Sequence, residues 1–319
     1  MHRFREITLM NRVEKALSSV NIEGVGLEIG PSYNPILPKS SGAKIKTVDH
    51  LDREGLLQKY SKHLSADLLA RIEEVDYIWS GESLTELIGE TYAFDYIIAS
   101  HVIEHTTDLI GFLRDCENLL KPNGVLSLIV PDKRFCFDRF KPLSTAGMAL
   151  DAYLKRNNIH SPGTVLDHLC YGVVRGDNIL GWDSTHTEPL SLHHADLDLI
   201  KNEIEEAIEK TTYLDCHHWI FTPKSFALLI QDLRELNYHH LSEIGSFETA
   251  GFEFFISLSK SSAQCVSRDR LTRLMEIEEE MKALIDVSPD LSIYAFVKEK
   301  LISKLRSLKK QIPLRIGSK

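Results

Sequence analysis

From residue 25 to residue 258 the chain alternates two patterns: short apolar runs, and longer stretches in which apolar residues return every third or fourth position. The first pattern predicts strands and the second amphipathic helices. Runs at 25–29, 44–49, 75–79, 94–100 and 125–130 predict strands, and helical stretches at 54–62, 66–74 and 108–120 fall between them. Strands separated by helices imply parallel pairing through crossovers, hence an α/β fold with helices covering the sheet. After residue 134 this rhythm stops. It resumes at Thr222-Pro223-Lys224-Ser225, an N-cap followed by a proline at the first helical position. Runs at 238–244 and 252–258 close the pattern, and residues 6–20 precede it as an amphipathic helix carrying Ile7, Met10, Val13 and Leu17.

The first strand ends abruptly at Gly30-Pro31-Ser32, and Gly30 lets the backbone leave the strand tightly enough for a ligand to approach the main chain. Gly24, Gly26 and Gly30 do not form a dinucleotide fingerprint, which needs its glycines after the strand and at the opening of a helix. A nicotinamide dehydrogenase is disfavoured on that ground. Glu28 is embedded in the strand. Burying its carboxylate costs several kcal/mol unless a cation or donor meets it, so an ammonium group of a cofactor is expected beside it. Asp49 ends the second strand about 20 residues after the glycine turn, the position at which such folds bind ribose hydroxyls. Ser100, His101, Glu104 and His105 follow the fourth strand, at the carboxyl edge where α/β sheets bind their ligands.

In this order, Glu28-Ile29-Gly30, Asp49, Ala99-Ser100-His101-Val102-Ile103-Glu104-His105 and Leu120-Lys121-Pro122-Asn123-Gly124-Val125 resemble the class I S-adenosylmethionine-dependent methyltransferases. Pro31-Ser32-Tyr33-Asn34-Pro35, Val130-Pro131-Asp132-Lys133-Arg134 and Trp219-Ile220-Phe221-Thr222-Pro223-Lys224-Ser225-Phe226 are similar to bacterial methyltransferases of cell-surface polysaccharide biosynthesis. The resemblance implies a Rossmann-like, mostly parallel sheet of seven strands with an antiparallel edge hairpin, an inserted region after strand 5 and a C-terminal helical extension. Residues 1–134 are then the cofactor-binding half, 135–218 the inserted substrate-recognition region, 219–260 the closing helix and hairpin, and 261–319 the extension. It also implies S-adenosylmethionine as cofactor, with Glu28, Gly30, Pro31, Ser32, Asp49, Gly81, Glu82, Ser100 and His101 around it. Gly81 and Glu82 match the turn that meets adenine, and Ser100 matches the position whose carbonyl meets the methionine ammonium. Trp79, just before that turn, belongs either on the adenine ring or in the core. Pro31 and Ser32 depart from the family, which carries further glycines there.

Composition narrows the partners. A net charge of -9 argues against a nucleic-acid substrate, because affinity for a phosphate backbone needs a basic face. Cys116, Cys136, Cys170, Cys216 and Cys265 show no CxxC spacing, so neither a zinc knuckle nor a disulfide framework is indicated, and a reducing cytoplasm is the expected location. No signal peptide or spanning helix is legible. The tail is basic: Lys298, Lys300, Lys304, Arg306, Lys309, Lys310, Arg315 and Lys319 stand against Glu299. Helices are expected at 268–286 and 291–310. The second has an apolar stripe that packs on its own domain or on a homodimer mate; the competing expectation is a membrane surface or a partner glycosyltransferase.

Methyl transfer to a hydroxyl needs the acceptor held near the methyl group and its proton removed, a task that suits histidine. His101 and His105 after the fourth strand, Asp132 after the fifth and His217 at the end of the insertion are the candidate catalytic residues. Lys133 and Arg134 are placed to grip a sugar-nucleotide or lipid-linked phosphate. No metal-ligand spacing is present, and no metal is expected. The sequence therefore reads as an O-methyltransferase for a sugar hydroxyl of a glycan or nucleotide-sugar intermediate. The alternatives are a methyltransferase for a phenol or amine, and a methyltransferase-like scaffold that docks partners through its C-terminal helices.

Overall fold

In the structure, a computed structural model, residues 10–156, 158–210, 213–261 and 268–286 are described. The strands are β1 (Val25–Ile29), β2 (Lys44–Asp49), β3 (Tyr77–Ile78), β4 (Phe94–Ser100), β5 (Leu120–Pro131), β6 (Val173–Arg175), β7 (Leu190–Leu192), β8 (Ser242–Ala250) and β9 (Glu253–Ser259). Seven of them form one sheet in the order β3-β2-β1-β4-β5-β9-β8. All pairings from β3 to β5 are parallel, whereas β9 runs antiparallel to both β5 and β8, so the expected edge hairpin is present. Pairing in register sets Ile29 beside Val48 and Ala99. The residues that follow, Gly30, Asp49 and Ser100, therefore leave the sheet side by side at one edge.

The period of two along β4 divides the core. Ile97 and Ala99 pack into one apolar cluster with Leu27, Leu113 and Phe226. Tyr96 and Ile98 pack into the other with Ala16, Ile36 and Phe255. Helix α1 (Arg12–Leu17) opens with a capping box between Asn11 and Glu14 and covers the second cluster through Ala16. The crossover helices are α2 (Arg53–Tyr60), α3 (Ala66–Leu69), α4 (Leu84–Ile88) and α5 (Leu109–Leu119). Helix α3 is shorter than the apolar spacing suggests, and β3 is reduced to a pair of residues. Asp76 accounts for the latter: its carboxylate accepts from Thr47 N at 2.7 Å and Thr47 Oγ1 at 3.1 Å, taking the place of further strand pairing. Trp79 packs against the core near Phe112, with its indole N–H donating to Glu82 O, and so belongs to the core.

Within the insertion, α6 (Ala146–Lys155) packs on α5, and α7 (Pro162–Tyr171) packs on α8 (Leu197–Lys210); between α7 and α8 in the chain lies the β6–β7 hairpin, an element the sequence pattern did not announce. Val165, Leu169, Ile200 and Cys216 give this region its own small core. Backbone bonds of Phe137 N to Leu180 O, Val173 N to Phe137 O and Trp182 N to Phe135 O tie it to the segment leaving β5. The chain returns through α9 (Pro223–Glu235), capped by Thr222 and Ser225 as expected, and ends its described part in α10 (Arg270–Asp286). Arg270 pairs with Asp232 at 2.8 Å, and Arg273 Nε donates to Gln231 Oε1 at 2.7 Å, fixing the start of α10 on α9. One compact unit runs to Ile277, and a second starts at Glu278. The expected helix at 291–310 and the first part of the expected helix at 6–20 lie outside the described residues. No helix among the described residues is long and apolar enough to cross a membrane.

Candidate active site

Gly30 turns the chain out of β1 at φ 68°, and Ser32 follows at φ 48°. A Cβ on Gly30 would stand 2.7 Å from Val102 Cγ2, so the turn needs glycine for space as well as for conformation. Asp49, almost fully buried, holds this turn: Oδ2 accepts from Ser32 N at 2.9 Å, while Oδ1 accepts from His50 N at 2.8 Å and faces His50 Nδ1 at 2.6 Å. A carboxylate offers about four acceptor positions, so these contacts leave one on Asp49 unused. Ser32 Oγ is buried without a hydrogen-bond partner beside it. A nucleoside with free hydroxyls fits these groups.

Ser100 lies next to this turn, and its hydroxyl accepts from Arg12 NH2 at 2.7 Å. Arg12 also forks onto Glu253, with Nε 2.7 Å from Oε1 and NH2 3.1 Å from Oε2. The guanidinium thus brings a cation to the end of the cradle at which the resemblance places the methionine. Sequence reading passed over Arg12, though the capping signal of Asn11 and Glu14 was there to start the helix that delivers it. At the turn that the resemblance assigns to adenine, Gly81 takes φ 105°, and Glu82 Oε2 caps the turn by accepting from Ser80 N at 2.9 Å.

Glu28 does not face this cradle. Side chains alternate along β1, and the carboxylate of Glu28 is turned under the following loop, where it accepts from Ile36 N at 2.6 Å and Leu37 N at 3.1 Å. The expectation of a cofactor ammonium beside it is corrected: main-chain amides are what meet the carboxylate. Burial is nevertheless the larger influence and raises its pKa to about 7.

Past Ser100 the site becomes a nest of charge. Glu104 is completely buried, and three histidines, two from its own segment and one from the end of the insertion, surround its Oε1: His101 Nδ1 at 3.3 Å, His105 Nε2 at 3.9 Å and His217 Nε2 at 4.0 Å. Burial works to raise the pKa of Glu104, but these imidazoles outweigh it and hold it below its ordinary value. The chain builds this arrangement by pairing backbones: His218 N and Trp219 N both donate to Glu104 O, at 2.8 and 3.1 Å, and Trp219 Nε1 donates to Thr106 O at 2.7 Å. Those bonds sew the end of the insertion onto the end of β4.

Each catalytic candidate now has a specific environment. His101, in the left-handed region at φ 54°, has Nε2 2.9 Å from Glu253 Oε2 as well as Nδ1 near Glu104. Burial opposes its charge, yet the acids on both sides raise its pKa to about 9. With a proton on each nitrogen His101 has no lone pair to offer, which corrects its assignment as a base; it is a fixed cation. His105 lies with Nδ1 2.8 Å from Asp215 Oδ1, and burial is outweighed there too, so its pKa is raised. Asp132 is corrected more completely. It is fully buried, its oxygens take Arg134 Nε at 3.0 Å and Arg134 NH2 at 2.6 Å, and Thr249 Oγ1 donates to Oδ2 at 2.5 Å. Nothing of its carboxylate remains for substrate. Lys133 and Arg134 are likewise engaged, with Lys133 Nζ donating to Lys141 O, so neither is set to grip a phosphate.

His217 keeps a different geometry. Its Nδ1 sits 2.5 Å from Asp138 Oδ2, and its ring packs against Phe137 and, edge to face, His105, with centroids 4.5 Å away in each case. Among the described residues, Glu104, His105 and His217 are the group whose ligand atoms come close enough to hold a metal ion, within 4.8 Å of one another. Sequence spacing did not reveal them because His217 lies far along the chain from the other two.

Residues 44–126 match the methyltransferase domain. The sequence is 32% identical, over 120 residues, to the mitochondrial ubiquinone biosynthesis O-methyltransferase of Bos taurus, covering 37% of this chain and 30% of that protein. It is 29% identical over 85 residues to the ubiquinone biosynthesis O-methyltransferase of Methylocella silvestris, covering 27% of this chain and 30% of that one. This chain therefore spans about 30% of the length of these curated relatives. Among solved structures, the CcbJ methyltransferase of Streptomyces caelestis superposes with a TM-score of 0.40 at 10% identity, over 79% of this chain and 97% of that one. From β2 into β5, then, this chain carries methyltransferase-domain sequence, on the strands that bring Asp49, Ser100 and His101 to one edge of the sheet.

Proposed function

We propose that the protein is an S-adenosylmethionine-dependent O-methyltransferase. The observation that carries this reading is the cradle at the ends of β1, β2 and β4: the Gly30 turn, Asp49 with a spare acceptor position, and Arg12 on Ser100. The matched methyltransferase-domain stretch supplies two of those strands. When bound, S-adenosylmethionine supplies a methyl carbon on a sulfonium; the acceptor oxygen bonds to that carbon, the C–S pair returns to sulfur, and the acceptor's proton leaves to a base. Asp49 would hold the ribose hydroxyls, and Arg12 would offer its guanidinium to the methionine carboxylate.

The acceptor is a hydroxyl. A phenol is favoured by the ring walls, Phe137 on His217 and Phe252 on His101, and by the relatives' named role in ubiquinone biosynthesis. A sugar hydroxyl of a glycan or nucleotide-sugar intermediate is the second reading, supported by the motif similarity at 31–35, 130–134 and 219–226. Engagement of Lys133 and Arg134 within the fold weighs against a nucleotide-sugar phosphate being held there.

Isothermal titration with S-adenosylmethionine and S-adenosylhomocysteine tests the cofactor. Binding is expected, and Asp49→Ala should weaken it at least about tenfold, the value of one charge-assisted hydrogen bond. Absence of binding by folded protein would overturn the reading. Release of S-adenosylhomocysteine from panels of phenols and of nucleotide sugars then separates the acceptors.

A further inference from the structure

Glu104 is fully buried, and neither of its carboxylate oxygens has a hydrogen-bond partner among the described residues. Native proteins leave few buried polar atoms in that condition, and a bound ion is one recognised reason for an exception. What surrounds the acid instead is imidazole, with nitrogens of His101, His105 and His217 between 3.3 and 4.0 Å from Oε1. We propose that Glu104, His105 and His217 bind a divalent transition-metal ion of the imidazole-preferring class, represented by Zn2+, with Glu104 Oε1 and the Nε2 atoms of both histidines as ligands.

His105 Nε2 and His217 Nε2 stand 3.9 and 4.0 Å from Glu104 Oε1, and one ligand atom from each of these residues falls within 4.8 Å of the others. Bonds of about 2.0–2.2 Å arranged tetrahedrally hold ligand atoms about 3.4 Å apart, so the nest contracts by about 1 Å around an ion. Each histidine turns its other ring nitrogen to an acid. His105 Nδ1 stands 2.8 Å from Asp215 Oδ1, and His217 Nδ1 stands 2.5 Å from Asp138 Oδ2. Metal-ligating histidines carry a carboxylate in this position, where it fixes the ring and leaves the opposite nitrogen for the ion. One such acid is common anywhere; two of them, behind two imidazoles that converge on one orphaned carboxylate, make a ligand set with its support already built. Lys141 Nζ secures the inner acid in turn, standing 2.7 Å from Asp138 Oδ1 and donating to His217 O at 3.2 Å. His101 is spanned between Glu104 and Glu253 and is left out of the ligand set. Two imidazoles and one carboxylate suit zinc and its neighbours in the first transition row, whereas Mg2+ prefers sites made of oxygen. Three protein ligands leave a fourth position for an oxygen ligand from outside the chain. The site goes beyond the methyl-transfer reading and does not rest on it.

The test uses full-length protein stripped with EDTA, dialysed free of chelator and titrated calorimetrically with Zn2+ or Mg2+ alone. Expected is one Zn2+ per chain at this site, with Mg2+ failing to saturate it at concentrations at which Zn2+ does. His217→Gln should lose that equivalent. Asp138→Asn, which leaves the ligands in place and alters only the acid behind His217, should weaken Zn2+ binding about 10–100-fold. Anomalous scattering at the zinc edge from crystals of the parent protein locates the ion without any variant, so the proposal stays open to refutation even where a variant fails to fold. An ion between Glu104, His105 and His217 supports it. Zinc found only at other histidines, an unchanged titration in folded His217→Gln, Mg2+ binding as tightly as Zn2+, or no zinc binding by folded parent protein would overturn it.

Discussion

His101 Nε2 lies 2.9 Å from Glu253 Oε2, a contact that joins the left-handed residue after β4 to the start of β9, and Glu253 is in turn forked by Arg12. One buried acid therefore couples α1, the end of β4 and the antiparallel strand. The pKa of His101, raised to about 9 from an ordinary 6.5, makes the coupling measurable. A raised folded-state pKa contributes stability that is fully present below about 6.5 and lost as pH rises through about 9. Glu253→Gln removes one of the acids responsible, so His101 should titrate closer to 6.5 by NMR. The difference in melting temperature between parent and variant should shrink between pH 7 and pH 10. A His101 titration unmoved by the substitution would refute the coupling.

Asp132 and Arg134 make a buried pair with bidentate geometry. Removing one partner of such a pair typically costs ~3–5 kcal/mol, because the other charge is left buried and alone. Asp132→Asn should therefore lower the melting temperature markedly while leaving S-adenosylhomocysteine affinity intact at temperatures where the variant is folded. A stable variant with kcat abolished would restore Asp132 as a base.

The strands, their parallel pairing and the edge hairpin were legible because they depend on local signals: apolar periodicity for the strands and helices between them for the crossovers. The Glu104 nest was only half legible. His101, Glu104 and His105 announced themselves by following β4, and His217 by its place before Trp219, but Asp138 and Glu253 act through contacts across long sequence separations, Asp138 with His217 and Glu253 with His101. Such pairs leave no periodicity. Glu28 and Asp132 were misread for a related reason: an acid at the end of a strand looks the same in sequence whether it faces a ligand or the protein's own amides and guanidinium. Only the course of the 31–37 loop and the partner Thr249 separate the cases.

Gly30 tests the cradle by two routes that separate. Its φ of 68° disfavours any L side chain by about 1–2 kcal/mol, and a Cβ would meet Val102 Cγ2 at 2.7 Å. Gly30→Ala should thus destabilise the protein and weaken S-adenosylhomocysteine binding. Adding Val102→Ala should recover the steric part and leave the conformational part. If the double variant were no better than the single one in thermal melts, the close approach to Val102 would not be what demands glycine there.

Glu28 gives the sharpest contrast between what a sequence suggests and what packing does. Its carboxylate is buried against Ile36 N and Leu37 N, and burial raises its pKa from 4.5 to about 7 despite those donors. Between these pH values the folded protein keeps a proton that the unfolded chain has released. Stability from this group is therefore present below about 4.5 and declines as pH rises through about 7. Glu28→Gln carries no titrating proton, so its melting temperature should change less than the parent's between pH 4.5 and pH 7.5. The amide also turns one donor toward a main-chain N–H, a mismatch worth about 1–3 kcal/mol in a buried site. S-adenosylhomocysteine affinity should be unchanged, since the side chain lies beneath the 31–37 loop and not in the cradle. A variant that kept the parent's pH slope and lost the ligand would mean that Glu28 meets the cofactor after all.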